Sequence, residues 1–303
     1  MKKTITALMM AGMMALVGCA SGTTTTTAGQ ATNASTTTAA TTGAGTTAGT
    51  QASTATGEQA PLIIGLEANY APFNWSQPTD ANGAVAIEGS AGFAGGFDVE
   101  VAKELAAFLD RELVVKQIAW DGLIPAVQNG AIDVIIAGMS ETPERVVEVD
   151  FSEPYYDSSF VMLVSKGSKF ESATSLADFA GAKIVGQKGT NYDKVIPQIP
   201  DVSHETPLGT VPLIINAIAS GVVDGTVLEK PVAVSVNQAN PDLVMVEFTA
   251  ENGFQPLEGV PTTVSIAMPK GSDELKAQIN EYLATFTMEK RDALMETAVM
   301  NQP

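Results

Sequence analysis

From Pro61 onward, short apolar runs alternate with helically spaced apolar positions. Leu62-Ile63-Ile64-Gly65-Leu66 has the length and continuity of a buried strand. Val99, Val101, Ala102, Leu105, Ala106 and Leu109 recur at helical spacing, which predicts a helix from Asp98 to Leu109 capped by Asp98. A strand over Leu113–Ile118, a short helix over Leu123–Val127 stopping near Gly130, and a strand over Asp133–Ile136 follow. The same rhythm resumes with a strand at Phe160–Val164, a helical turn at Leu176–Phe179 and a strand at Lys183–Gly186. A helix then starts at Tyr192 behind Thr190 or Asn191, and another spans Pro212–Ser220. Val223–Leu228 reads as a strand leading through Glu229 into a helix at Lys230-Pro231. Thr263–Met268 is a late strand and Asp273–Phe286 a closing helix. Strand–helix alternation of this kind predicts an α/β fold of mostly parallel sheets flanked by helices. Ligands in such sheets bind beyond the carboxyl ends of the strands.

The first 60 residues break the pattern. Lys2 and Lys3 precede the short apolar stretch Ile5–Val17, and Leu16-Val17-Gly18-Cys19 reads as the cleavage signal of a bacterial lipoprotein. Residues 1–19 are therefore expected to be a signal peptide and lipidated Cys19, anchoring the protein to a membrane. Residues 20–60 are Thr, Ala and Gly with Glu58 as the only charge. Without an apolar face this stretch reads as a disordered tether, a coil roughly 35 Å from end to end. A Thr-rich tether of this kind points to a Gram-positive cell surface. The body, 61–303, is long enough for one large domain or two lobes.

Charge narrows the partners. Loss of Lys2 and Lys3 with the signal takes the formal charge from −18 to −20. So acidic a surface lacks the basic footprint that nucleic acid requires and mildly favours cationic ligands. One cysteine and one histidine, His204, leave no composition for a zinc cluster or a Cys–His dyad. No cofactor, metal or catalytic residue is expected.

The richest stretch for chemistry is Ala137-Gly138-Met139-Ser140-Glu141-Thr142-Pro143-Glu144-Arg145. Thr142 suits an N-cap and Pro143 the first helical position. Small residues at Ala137 and Gly138 admit a ligand to the backbone, Ser140 offers a hydroxyl, and Arg145 a fork of donors matched to a carboxylate. Phe73 reads as a core aromatic. Asp150 and Asp157 read as structural, and His204 as a solvated surface residue.

These segments, taken in order, resemble the extracellular solute-binding proteins of family 3, the substrate-binding lipoproteins of ABC importers for polar amino acids. The likeness is carried by Gly65–Phe73, Gly96-Phe97-Asp98-Val99, Trp120-Asp121-Gly122-Leu123-Ile124-Pro125, Gly138–Arg145, Val149–Tyr156, Gly189-Thr190 and Gly221–Gly225. It implies a type II periplasmic-binding-protein fold: lobe 1 from 61–158 and 262–303, lobe 2 from 159–261, and two crossover strands. A monomer would close on one amino acid and deliver it to permease subunits. The resemblance implies that Arg145, the Gly138 backbone and Ser140, joined by Thr190 and Asn191, grip the α-carboxylate. Glu229 falls where the family usually places an aspartate for the α-ammonium. Tyr70 and Trp120 match positions that sandwich the ligand side chain, and Glu67 falls where binders of basic amino acids often carry an acid. Lys, Arg or His are the expected ligands, then Gln; Glu and Asp would meet repulsion. Two other classes remain open: a cyclohexadienyl-dehydratase-like enzyme on the same fold, and a ligand-binding sensor for a partner receptor.

Overall fold

The computed structural model describes residues 59–303; the expected signal peptide, Cys19 and nearly all of the tether lie outside them. Two five-stranded sheets share one pattern. In the first, the order is Leu113–Gln117, Leu62–Leu66, Val134–Ile135, Thr263–Pro269, Val149–Asp157. In the second it is Ser203–His204, Lys183–Ile184, Gly225–Glu229, Phe160–Ser165, Leu243–Val246. The three leading strands of each are parallel neighbours, and the last two are added antiparallel. The parallel portion is what the strand–helix alternation predicts. The antiparallel strands are those that carry the chain from one sheet toward the other: Val149–Asp157 runs almost directly into Phe160–Ser165, and the chain returns between Val246 and Thr263.

Both sheets bury apolar residues on each face. Leu62, Ile64, Leu66, Val134 and Ile135 are wholly buried in the first, and Met162, Leu163, Val164, Val227 and Leu228 in the second. Near-continuous Val/Ile/Leu runs are the sequence form of strands covered on both sides. A small antiparallel sheet of Asn69–Tyr70, Asn74–Gln77, Phe93–Gly95 and Val85–Ala86 lies between the first strand and the first long helix. Periodicity gave no sign of it, because strands of two to four residues are too short to establish a period of two.

One local expectation is corrected, and two elements are defined further than the sequence showed. The helix expected from Asp98 runs from Phe97 to Phe108 with Gly96 as its N-cap, and Asp98 lies inside its first turn, fully buried. Gly96 has φ 120°, and a Cβ there would stand 2.4 Å from the Phe73 carbonyl oxygen, so no other residue fits. The helix after Thr142 is a single turn, Pro143–Val146, although Thr142 caps it and Pro143 opens it as expected. The closing helix Asp273–Thr285 is followed by another, Met288–Asn301. That last helix buries only Met295 and Ala298, so its sequence carries almost no apolar stripe. It is held instead by polar ends: Lys290 pairs with Glu104 on the first long helix at 2.6 Å, and Gln302 donates to the Ser235 carbonyl at 3.1 Å.

Gly96→Ala is expected to lower unfolding free energy by about 2 kcal/mol or more, combining left-handed strain with a backbone clash. Gly89→Ala is the control, since φ is 74° there but nothing lies within 4 Å; it should cost only about 1 kcal/mol. Equal losses in denaturant titrations would contradict the close-approach role of Gly96.

Candidate ligand-binding site

A small cavity of about 20 Å³ lies where the carboxyl ends of both sheets face each other. From the first sheet come Glu67 and Tyr70, just past Leu62–Leu66; Trp120, past Leu113–Gln117; and Gly138, Ser140 and Arg145, past Val134–Ile135. From the second come Gln187, Thr190, Asn191 and Tyr192, past Lys183–Ile184, and Glu229, the last residue of Gly225–Glu229. Nine of the ten expected site residues line it. Ala137 does not: it is buried in the core. Both residues lie past the end of Val134–Ile135, and it is at Gly138, where φ is 60°, that the chain reaches the cavity wall.

Arg145 is placed by its one-turn helix. Its Nη1 donates to the Ser140 carbonyl at 2.7 Å and its Nη2 to the Gly189 carbonyl at 2.9 Å, so the guanidinium touches both sides of the cavity. Its Cζ lies 5.2 Å from the centre of the Trp120 ring, within cation–π range. A guanidinium has five donor hydrogens, and these two bonds leave donors for a ligand carboxylate. Trp120 therefore offers a face to Arg145. Tyr70 stacks on Phe73 at 5.5 Å, and its hydroxyl donates to the Glu229 carboxylate. Phe73 is the core residue its sequence suggested, 0% exposed.

Gly138 contributes differently from expectation. Its N–H donates to the Tyr155 hydroxyl at 3.0 Å and is not free for a carboxylate. With φ 60° and Tyr70 Cε1 only 3.1 Å from a notional Cβ, its value is lack of bulk. Thr190 donates to the Gln187 carbonyl at 2.7 Å and accepts the Asp193 N–H as a helix cap. Asn191 gives its Nδ2 to the Pro261 carbonyl at 2.8 Å, which fixes the amide and leaves Oδ1 buried without a partner. That atom is an acceptor. It suits a donor on the ligand, so a grip by Asn191 on a carboxylate would come from its backbone N–H at the start of Asn191–Lys194 and not from Oδ1.

Two lining residues were not singled out from sequence. Gln187 donates to Glu67 at 3.2 Å and to the Gly209 carbonyl at 3.1 Å, and accepts from the Tyr192 hydroxyl at 2.6 Å. Both follow closely on a strand end, which is the signal that pointed to Thr190. Outside the cavity, Lys188 pairs with Asp121 at 2.7 Å and Lys194 with Glu144 at 3.0 Å across the same gap. Asp150 binds Lys270, Asp157 accepts from Thr262, and His204 reaches Asp193, so Asp150 and Asp157 hold structure as expected. His204 is tied to a neighbour, not simply solvated.

The electrostatics are lopsided. Burial pushes Glu229 up to about 7, a shift that Tyr70 and Arg145 only partly oppose. Burial also raises Glu67, against a bond from Gln187, and takes Asp98 beneath the cavity to about 6. Burial lowers Arg145 from its ordinary value. Two carboxylates of the wall, Glu67 and Glu229, face one guanidinium, with Asp98 behind them. A cationic group entering here would let them ionise, whereas an additional anion would have only Arg145 to meet it.

A family model described as bacterial extracellular solute-binding proteins, family 3, matches residues 62–297. The L-cystine-binding protein TcyJ of Escherichia coli (strain K12) is 28% identical over 227 residues, 75% of this chain and 77% of that protein. The putative ABC transporter arginine-binding protein 2 of the same strain is 30% identical over 240 residues, 76% and 86% of the two chains. Among solved structures, the amino acid ABC transporter substrate-binding protein AbpA of Streptococcus pneumoniae Canada MDR_19A, bound to L-arginine, superimposes with TM-score 0.65. It is 28% identical and the match covers 79% of this chain and 94% of that one.

Glu229 binds its proton more tightly folded than unfolded, so it contributes stability below its ordinary value of 4.5 and loses it as pH rises through about 7. Glu229→Gln should therefore gain on wild type as pH rises, by about 3 kcal/mol at pH 8 relative to pH 4. Urea unfolding of both proteins across that range checks this; a constant difference would contradict it.

Proposed function

We propose that this chain, which belongs to the bacterial extracellular solute-binding proteins of family 3, captures a polar L-amino acid with a cationic side chain and delivers it to the transmembrane subunits of an ABC importer. The observation that carries the reading is one cavity with Arg145 on the side of the first sheet and Glu229 on that of the second. A zwitterion leaving water needs one cation and one carboxylate, each desolvated and each paired. Arg145 takes the α-carboxylate with Ser140 beside it. Glu229 takes the α-ammonium, and the spare acceptor of Asn191 lies on the same wall. Glu67 with Gln187 remains for the far end of the ligand, where a guanidinium or ammonium finds an acid and a neutral amide finds both a donor and an acceptor. Arginine and lysine rank first, glutamine next.

Splitting the two ionic contacts between sheets makes closure depend on ligand, since an open cleft leaves half of them unmade. We assign 61–158 and 262–303 to one lobe and 159–261 to the other, because the crossings at Asp157–Phe160 and before Thr263 separate the two sheets. The reading is that of a binding protein and not an enzyme: neither Glu67 nor Glu229 stands beside a histidine, and both are engaged with donors. Family membership places the protein outside the cytoplasm. We further assign Cys19 as the lipid anchor of a monomer on a Gram-positive surface, on the strength of Leu16-Val17-Gly18-Cys19 and the Thr-rich stretch after it.

Isothermal titration with the twenty amino acids tests the function. Arginine or lysine should bind most tightly; folded protein that binds none rejects it. Arg145→Ala should weaken binding by about 100-fold or more, as loss of a charged partner does, and an affinity within about tenfold of wild type retained by that variant would contradict the role. Glu67→Gln should penalise arginine more than glutamine. For the anchor, Cys19→Ser should move the protein from the membrane fraction to the medium; unchanged membrane association argues against lipidation there.

A further inference from the structure

The most deeply buried acid of the site touches no part of the cavity. Asp98 is 0% exposed in the first turn of Phe97–Phe108. Its Oδ1 accepts from the Tyr155 hydroxyl at 2.7 Å and its Oδ2 from Asn74 Nδ2 at 2.8 Å. Each partner then passes the contact to a backbone amide. The Tyr155 oxygen accepts the Gly138 N–H at 3.0 Å, and Asn74 Oδ1 accepts the Ala68 N–H at 2.8 Å. Both amides belong to left-handed residues, Ala68 at φ 56° and Gly138 at φ 60°. Both residues sit in turns that supply the cavity wall: Glu67 and Tyr70 flank the first, Gly138 and Ser140 form the second.

We propose that Asp98 is the positioning residue of the ligand site, holding through Asn74 and Tyr155 the two turns that present Glu67–Tyr70 and Gly138–Ser140. One carboxylate thereby fixes the place of a ligand acid, of the hydroxyl that meets Glu229, and of the Ser140 carbonyl that anchors Arg145 at 2.7 Å. A buried carboxylate is costly unless its lone pairs are satisfied, and an apolar residue would fill the same volume at less cost. What a carboxylate supplies and an apolar group cannot is two acceptor oxygens facing two different donors. Tyr155 and Asn74 both need to be donors toward it for their remaining acceptors to face the amides. Asparagine at 98 would turn an NH₂ group toward one of them and disrupt that arm. Asp98 also adds negative potential beneath the ammonium end, since its charge works against ionisation of Glu229. This inference rests on the reading of the cavity as an amino-acid site.

The test uses Tyr155→Phe, Asn74→Ala and Asp98→Asn in the full chain, with arginine as the probe. Amide resonances of the ligand-free proteins report the relay without any ligand. Tyr155→Phe should shift the Gly138 amide and leave Ala68 in place, Asn74→Ala should do the reverse, and Asp98→Asn should shift whichever of the two its new NH₂ group faces. Each variant that remains folded by circular dichroism should bind arginine about tenfold or more weakly by calorimetry. An Asp98→Asn protein that does not fold leaves the two single-arm variants to decide. Wild-type binding of arginine that both single-arm variants retain within about twofold overturns the relay while sparing the functional reading. So does a Gly138 amide that stays in place in Tyr155→Phe. Wild-type protein that binds no amino acid rejects the reading, and the positioning role with it.

Discussion

Charge taken out of water without a full complement of partners is the constraint on which this structure turns. Glu67, Asp98 and Glu229 are buried in and beneath one cavity, and Arg145 is the cation that faces them. In low dielectric such a set is tolerated only where hydrogen bonds satisfy each oxygen or where protons neutralise some of them. The structure does both. Tyr70 caps Glu229, Gln187 caps Glu67, and Asn74 with Tyr155 cap Asp98, while burial moves Asp98 and Glu229 toward neutral pH. On the proposed reading, a guest that carries its own cations would relieve the excess of acid, and its carboxylate would meet the spare donors of Arg145.

The fold makes this arrangement possible by bringing strand ends from two sheets to one place. Strand interiors are largely apolar and buried, so polar side chains are displaced to the strand ends and the residues past them, where Glu67, Ser140, Gln187 and Glu229 stand. Because the sheets are joined by strands that cross between them, contacts such as Tyr70 to Glu229 and Gln187 to Glu67 link segments distant in sequence. They join the two sheets across the cavity.

Much of this was legible from sequence, for identifiable reasons. Leu62–Leu66 and Phe160–Ser165 were readable because buried strands need unbroken apolar runs, and Thr142-Pro143 because a cap and a proline have one common use. Gly138, Ser140, Arg145, Thr190 and Glu229 were readable as polar or small residues ending such runs. What was hidden is what depends on partners far along the chain. Asp98 looked like a helix cap, since its register beside Asn74 and Tyr155 is not written locally. Gln187 and Tyr192 gained their place only when the second sheet met the first. Met288–Asn301 lacked an apolar stripe because polar contacts at its ends hold it, and the free oxygen of Asn191 follows from the Pro261 carbonyl some seventy residues away.

The claim at the centre is that Arg145 reads a ligand carboxylate across the cavity from the acid that reads its ammonium. Comparing arginine with agmatine, which lacks only the carboxylate, isolates that contact when both are titrated into wild type and Arg145→Ala. The account predicts that wild type prefers arginine by about 100-fold or more and that the variant loses most of this preference. An Arg145→Ala protein that still distinguishes the two ligands as well as wild type would contradict it.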